Sequence, residues 1–347
     1  MKCIQPYLEN ILFVDGCDLY GSTASFISRK WTTITSMALG TGRFGGGALS
    51  LDSSNSAVTK AIANTATVGV SFAINIVAPN TGGTTEIFRI TDAGTTQVGL
   101  ALNASQQLIL FRSTSGTVLG TSAAGLASST WHHIQIKTLI DPAAGTGEVR
   151  LNGSASAIIT VTGANTRATA NSFANDVRFV TSGSVPDFLI DDVIIWDTAG
   201  SAPQNNFMGD VRIETIRPTG AGNSTGWSLT GAASNRQAVA DTTPDDDTSY
   251  VSTAVSTTKD TYAMGDLTGT IATIFATQSN LLCKKTDAGT ADIKSVVRIG
   301  STDYAGTAMG PSTSYSYVTE LRTTSPATAV AWTGAEINGS EWGSEFN

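Results

Sequence analysis

The sequence predicts an all-β protein arranged as two successive β-rich domains, and three observations predict it. Apolar residues come in runs of about five to ten, each closed by Gly, Pro, Asn or Asp. No stretch of useful length carries a helical period, heptads or an internal repeat. Charged residues are only 14% of the 347, and Ser, Thr, Ala, Asn and 35 Gly replace them, a mixture suited to short strands and many turns.

Taken in order, ENILFVDG reads as an entry strand and FISRKWTTIT as an edge element. GRFGGGALSLDSS (Gly42 to Ser54) is a glycine turn feeding a strand, where missing side chains let backbones approach closely. Strands are expected over Val68 to Val77, Thr85 to Ile90, Gln97 to Leu102 and Gln107 to Arg112, separated by PNTGG, TDAG and NAS. In WHHIQIKTLI the alternation places His132, Ile134, Ile136 and Ile140 on one face, with His133, Gln135 and Lys137 on the other. GEVRLNG ends in Asn152-Gly153, a strong hairpin signal. FLIDDVIIWD (Phe188 to Asp197) is apolar on both faces and reads as a central strand. Strict alternation turns Asp191 and Asp192 to opposite faces and puts Asp192 with Phe188, Ile190, Ile194 and Trp196.

TAGSAPQNN (residues 198–206) is small, polar and proline-containing, as a linker should be, so a boundary is expected near Asp197 to Asn206 and the domains at 1–200 and 207–347. GDVRIETIRP reads as a strand closed by Pro218. SYVST, TYAMGDL, TGTIATIFAT, ADIKSVVRIG and SYSYVTEL follow as further strands. Trp131, Trp196 and Asp192 are expected in the first domain's core, the last hydrogen-bonded so as to hold a neighbouring loop. Trp227, Trp332 and Trp342 are expected to serve packing or an interface in the second.

The catalytic vocabulary is thin. The two histidines, His132 and His133, are adjacent on a strand and cannot share a metal or a relay; His132 reads as core and His133 as surface. No G-x-S-x-G elbow supports a Ser-His-Asp triad, and no spaced carboxylate strand supports glycoside hydrolysis. An enzyme is therefore not expected. Cys3, Cys17 and Cys283 form no metal or disulfide pattern. PDDDTS (Pro244 to Ser249) lacks the spacing of a calcium loop and reads as a solvated turn, so no cofactor is expected, with weak calcium capture the one reservation. GRFGGG lacks the Lys-Ser/Thr of a phosphate loop. A formal charge of −8 without a basic stripe argues against nucleic acid. The longest apolar run is too short to span a bilayer, and MKCIQPYLEN has no apolar region of a signal peptide.

RFGGGALSL (Arg43 to Leu51), WHHIQIK, GEVRLNG and FLIDDVIIWD together resemble the laminin-G/concanavalin-A-like jelly rolls found in tailed-bacteriophage virion proteins. GDVRIETIRPTG, PDDDTSYVST and AWTGAEINGSEWG resemble phage structural proteins in which such a segment follows the jelly roll. The resemblance implies a jelly-roll sandwich (1–200) followed by a β-rich, sandwich-like assembly domain (207–347). It also implies a non-enzymatic virion component, tail-associated or else decorating the capsid. Its partners would be copies of itself and other virion proteins, in a symmetric oligomer. The alternative is a carbohydrate-binding module contacting a host-surface glycan.

Overall fold

The computed structural model describes residues 10–53, 55–114, 116–181, 187–269 and 271–347. Cys3 and the rest of the first nine residues lie outside them. The chain divides into two compact units, 1–213 and 214–347.

Among the described residues the first unit is a β-sandwich of fifteen strands. In chain order they are β1 (Ile11–Asp15), β2 (Thr33–Thr35), β3 (Ala38–Thr41), β4 (Gly47–Leu51), β5 (Ala57–Thr65) and β6 (Thr67–Ile76). Then come β7 (Thr85–Asp92), β8 (Thr95–Leu102), β9 (Gln107–Arg112), β10 (Thr117–Gly125) and β11 (Trp131–Leu139). The last are β12 (Gly145–Leu151), β13 (Ala157–Ala164), β14 (Ala174–Val180) and β15 (Phe188–Asp197). Sheet one runs β13-β12-β11-β6-β15-β4-β3, with β1 also on β15; sheet two runs β10-β9-β8-β7-β14-β5-β2. All pairings are antiparallel.

The sheets meet on an aromatic core. Phe72 of β6 lies 5.5 Å from Phe88 and 4.9 Å from Phe179 of the opposing sheet, and Trp31 reaches Phe179 at 6.2 Å. The turns are those the sequence asks for. Asn152 and Gly153 take φ 50° and 71°, and Ser154 donates to the Leu151 carbonyl at 3.0 Å, closing a tight hairpin. Ala93-Gly94 does the same between β7 and β8.

One residue breaks the alternation of β15. Register to β6 shifts between Asp191 and Ile194, with Asp192 at φ 52°. This β-bulge advances the phase of everything after it. Trp196 consequently pairs with Gly69 and lies on the outer face of sheet one, not between the sheets, and it no longer shares a face with Ile190. It is still fully buried, because residues 206–213 form a strap across that face. Phe207 stands edge-on to Trp196 at 6.4 Å, Gly209 N–H donates to Gln135 Oε1 at 3.1 Å, and Met208 and Val211 are buried. The expected break at 197–206 therefore sits inside the first unit, and 209–217, read as a strand, is unpaired chain. Trp131 is only half-buried at the start of β11, where it pairs with Asn75 on the outer face instead of joining the core.

The second unit comprises β16 (Pro218–Thr225), β17 (Ser228–Thr230), α1 (Asn235–Val239), β18 (Tyr250–Ser252), β19 (Lys259–Met264) and β20 (Thr277–Cys283). It continues with β21 (Ile293–Ile299), β22 (Thr302–Ala305), β23 (Ser316–Arg322), α2 (Gly334–Asn338) and β24 (Glu341–Phe346). One sheet runs β16-β19-β24-β21-β22, and β17-β18 and β20-β23 are two-stranded ribbons. Pro218 thus opens a strand instead of closing one, and of the described residues of TGTIATIFAT only the last, Thr277, joins a strand, β20. The single-turn helices are capped by Ser234 and Thr333, whose hydroxyls accept from Gln237 N–H and Glu336 N–H. Trp332 and Trp342 pack at 5.6 Å over Val297 and Ile337. Trp227 is half-buried, its indole donating to the Thr258 carbonyl at 3.1 Å.

Candidate functional site

The polar groups with chemical potential gather on the outer face of sheet one, beneath the strap. β6 contributes Ser71, β11 His133, the β15 bulge Asp191 and Asp192, the glycine loop Arg43, and the strap Asp210. On β6 the outward positions are Gly69, Ser71 and Ala73, small enough for the strap to lie close.

Ser71 Oγ and His133 Nε2 are hydrogen-bonded at 2.8 Å, and His133 Nδ1 lies 3.8 Å from Asp210 Oδ1. The order serine, imidazole, carboxylate is that of a hydrolytic triad. Its setting is not. Ser71 and His133 are both fully buried, and the third distance is too long for a hydrogen bond. Burial, reinforced by Arg43, holds the imidazole well below its ordinary value, to about 4, against the pull of Asp210. His133, expected on the surface, is interior because the strap covers its face. His132 points between the sheets, 3.0 Å from the Ala127 carbonyl.

Asp191 and Asp192, which alternation sends to opposite faces, serve the same cluster because of the bulge. Asp191 Oδ2 accepts the Arg43 N–H at 2.8 Å, fixing the glycine loop. Asp192 Oδ1 accepts the Ile213 N–H at 2.7 Å, fixing the end of the strap. Arg43 spans both: its guanidinium is 3.6 Å from Asp192 Oδ2 and makes paired contacts of 2.7 and 2.8 Å to Asp210. It also donates to the Val211 carbonyl at 3.4 Å. Burial would raise Asp210, but the Arg43 hydrogen bond and the charges of His133 and Arg43 together outweigh it and hold the carboxyl below its usual range. Gly42 and Gly46 are required here: a Cβ on Gly42 would lie 2.8 Å from Asp191 Oδ2, and one on Gly46 2.0 Å from Asp18 Oδ1. Phe44, at the loop tip, is half exposed with Arg43 and Arg212 over its ring at 4.8 and 4.6 Å.

This crowding has a pH signature. Burial, then the charge of Asp192, pushes Asp191 up to about 8; burial pushes Asp192 up to about 6 against the Ile213 N–H and Arg43. A carboxyl that is more basic folded than unfolded binds extra protons in the native state, so stability falls as pH rises through that interval. From pH 4 to 6.5 the depressed His133 acts in the opposite sense. Between pH 6.5 and 8 Asp191 acts alone among these three. The melting transition of the full chain is expected to weaken there by up to about 1.4 kcal/mol per pH unit. Asp191→Asn should flatten that slope in a pH series of thermal melts; an unchanged slope would assign it elsewhere.

The remaining candidate groups are engaged locally. In PDDDTS, Asp247 pairs with Lys284 at 2.7 Å and accepts from Tyr315 at 3.0 Å, and Asp245 accepts from Ser249 at 2.9 Å. Among the described residues no group of three or more His, Cys, Asp or Glu is placed to hold a metal ion, and no helix is long and apolar enough to cross a membrane. Cys17 and Cys283 are free thiols. The second unit carries an open groove of about 540 Å³ beside α1. Its polar lining is committed inward: Asn235 and Tyr262 donate to Asp260 at 2.7 and 2.6 Å, and Arg236 donates to the Pro218 carbonyl at 3.2 Å.

No family model matches the sequence, and no curated protein matches it. Among solved structures, a Trypanosoma rangeli sialidase is similar at 9% identity and a TM-score of 0.35, over 54% of this chain and 30% of that one. The binding domain of botulinum neurotoxin DC, solved with SialylT, matches at 15% identity and 0.35, over 47% and 41%. Domain 4 of a GH43 extracellular arabinanase from Geobacillus stearothermophilus, solved with arabinotriose, matches at 17% and 0.34, over 47% and 76%. The chain spans about a quarter of the first sialidase chains it matches. At these scores the likeness bears on neither ligand nor reaction.

Proposed function

We propose that the chain is a non-enzymatic structural component of a tailed-phage particle, exposed on the virion and tail-associated. The observation that carries the structural role is how the buried polar groups are used. Asp191, Asp192, Arg43 and Asp210 fasten the glycine loop and the strap to the β15 bulge, and Ser71 and His133 are sealed beneath them. A sandwich locked in this way suits a part that must stay folded while exposed at high local concentration. The phage assignment is supported by the sequence patterns at 40–200 and 209–347.

Two measurements test the reading. A fluorophosphonate probe, which labels activated serines, is expected to leave Ser71 unlabelled; labelling abolished by Ser71→Ala would establish a hydrolase instead. The purified protein is expected to form a defined oligomer and to dock on tailed particles, with gold-labelled antibody decorating tails. Decoration of heads would move it to the capsid. A monomer that never associates with particles would overturn the proposal.

A further inference from the structure

The outer face of sheet two carries a cation that the fold does not use. Across neighbouring strands, register aligns Thr33, Thr59, Arg178 and Arg89 in one row, on β2, β5, β14 and β7. Their chain neighbours Val58, Val177, Phe179, Phe88 and Ile90 are buried, so the row points away from the core. Two arginines directly opposite one another repel, and a sheet normally avoids that pairing. Arg89 is neutralised, its Nε donating to Glu86 Oε2 at 2.7 Å. Asp176, two residues from Arg178 on the same face, accepts instead from the Thr91 hydroxyl and from Gly94 N–H at 3.4 Å. Arg178 makes no hydrogen bond or ion pair among the described residues, and its Nε is buried without an acceptor. Burial and the charge of Arg89 oppose its cation, and Asp176 and Glu86 offset that only in part.

We propose that Arg178 is the anchor of a binding site for the carboxylate of an acidic saccharide. A guanidinium fork takes a carboxylate through two parallel N–H donors, and such charge-assisted pairs are the strong ones. Beside it lie Thr59, half-buried, and Thr33 and Ala61, exposed. Their hydroxyls and small side chains suit a hydroxyl-rich ligand lying along the row. A protein partner would need an aromatic or aliphatic anchor. None of the large exposed hydrophobic residues lies on β2, β5 or β14. Glu86 and Asp176 leave the patch without net positive charge, so a single site binds weakly and gains strength from many copies. Only that gain rests on the virion role proposed above; the site itself is measurable on isolated protein, so the two readings fail separately.

The test is binding of the full-length protein to immobilised oligogalacturonate, with the carboxyl-reduced polymer and poly-glutamate as competitors. Oligogalacturonate is expected to bind, more weakly as salt rises, and neither competitor should displace it at matched concentration. Arg178→Gln should weaken binding about tenfold or more with no loss of melting temperature, since the cation makes no hydrogen bond or ion pair and burial and Arg89 outweigh the pull of Asp176 and Glu86 on it. Arg178→Lys, which keeps charge but not the fork, should fall between. No binding, unchanged binding by Arg178→Gln, or equal binding of the reduced polymer would overturn the proposal. Displacement by poly-glutamate would overturn the saccharide assignment in favour of an acidic protein.

Discussion

Replacing Asp15 with Ala is expected to lower the melting temperature of the first unit by roughly 6–20 °C. Asp15 ends β1 fully buried and gathers four donors: Tyr20 OH and Trp31 Nε1 at 2.6 Å, Cys17 N–H at 3.1 Å and Lys30 Nζ at 3.2 Å. Lys30 is itself buried, 7% exposed, so losing the carboxylate strands an ammonium in the interior. Breaking one side of a buried ion pair costs about 3–5 kcal/mol, and each kcal/mol moves a unit of this size by about 2–4 °C. The same reasoning predicts its own rescue. Asp15→Leu with Lys30→Met removes both charges and should recover the part of the loss due to the stranded ammonium, while the Tyr20, Trp31 and Cys17 donors stay unpaired. Calorimetry of the full chain checks both; a single variant as stable as wild type would show that the donors find water instead.

Gly69→Ala is expected to be nearly as damaging, for a steric reason. A Cβ at residue 69 would sit 2.0 Å from Cε2 and 2.4 Å from Nε1 of Trp196. The indole cannot retreat, since it is fully buried with Phe207 edge-on to it. Either the strand or the ring moves; overpacking costs about 1–3 kcal/mol, and expelling the indole about 3–5 kcal/mol. Urea titration should show an earlier midpoint, with a red-shifted emission that Trp196→Phe abolishes. In Gly69→Ala, a second change of Trp196→Leu should restore part of the stability, and the coupling between the two changes is the quantity that decides. Additive effects would mean the clash is relieved elsewhere.

Much of the sandwich was legible because each strand carries its own signal. β6, β7, β8, β9 and β11 are apolar runs bounded by turn residues, and Ala93-Gly94 and Asn152-Gly153 name their own turns. What failed was everything that depends on coverage. Val211 and Ile213 alternate with polar residues as a strand would, but the pattern is the same whether the chain joins a sheet edge or lies across a sheet face. TAGSAPQNN has a linker's composition, and nothing in it states that the following residues bury Trp196. The candidate cluster was misread for two reasons: the strap that buries His133 was not foreseen, and Asp192 at positive φ shifts the phase of β15, so faces counted by twos go wrong beyond it. Two signals pointed to the cluster: adjacent carboxylates inside an apolar strand demand donors, and Arg43 opens the glycine loop that supplies them.

The bulge in β15 also makes that strand bilingual. Residues 188–191 are spelled in one reading of inside and outside, residues 193–197 in the opposite one, and Asp192 is the punctuation between them. Flattening the bulge with every residue kept, so that β15 ran in unbroken alternation, would turn the Trp196 indole toward the Phe72–Phe179 contact and the Ile195 side chain toward the strap, whereas deleting the extra residue would leave both on their present faces. The extra position is therefore kept for what it holds and not for the count of residues: its loss would leave the strand in phase and release the end of the strap from Asp192.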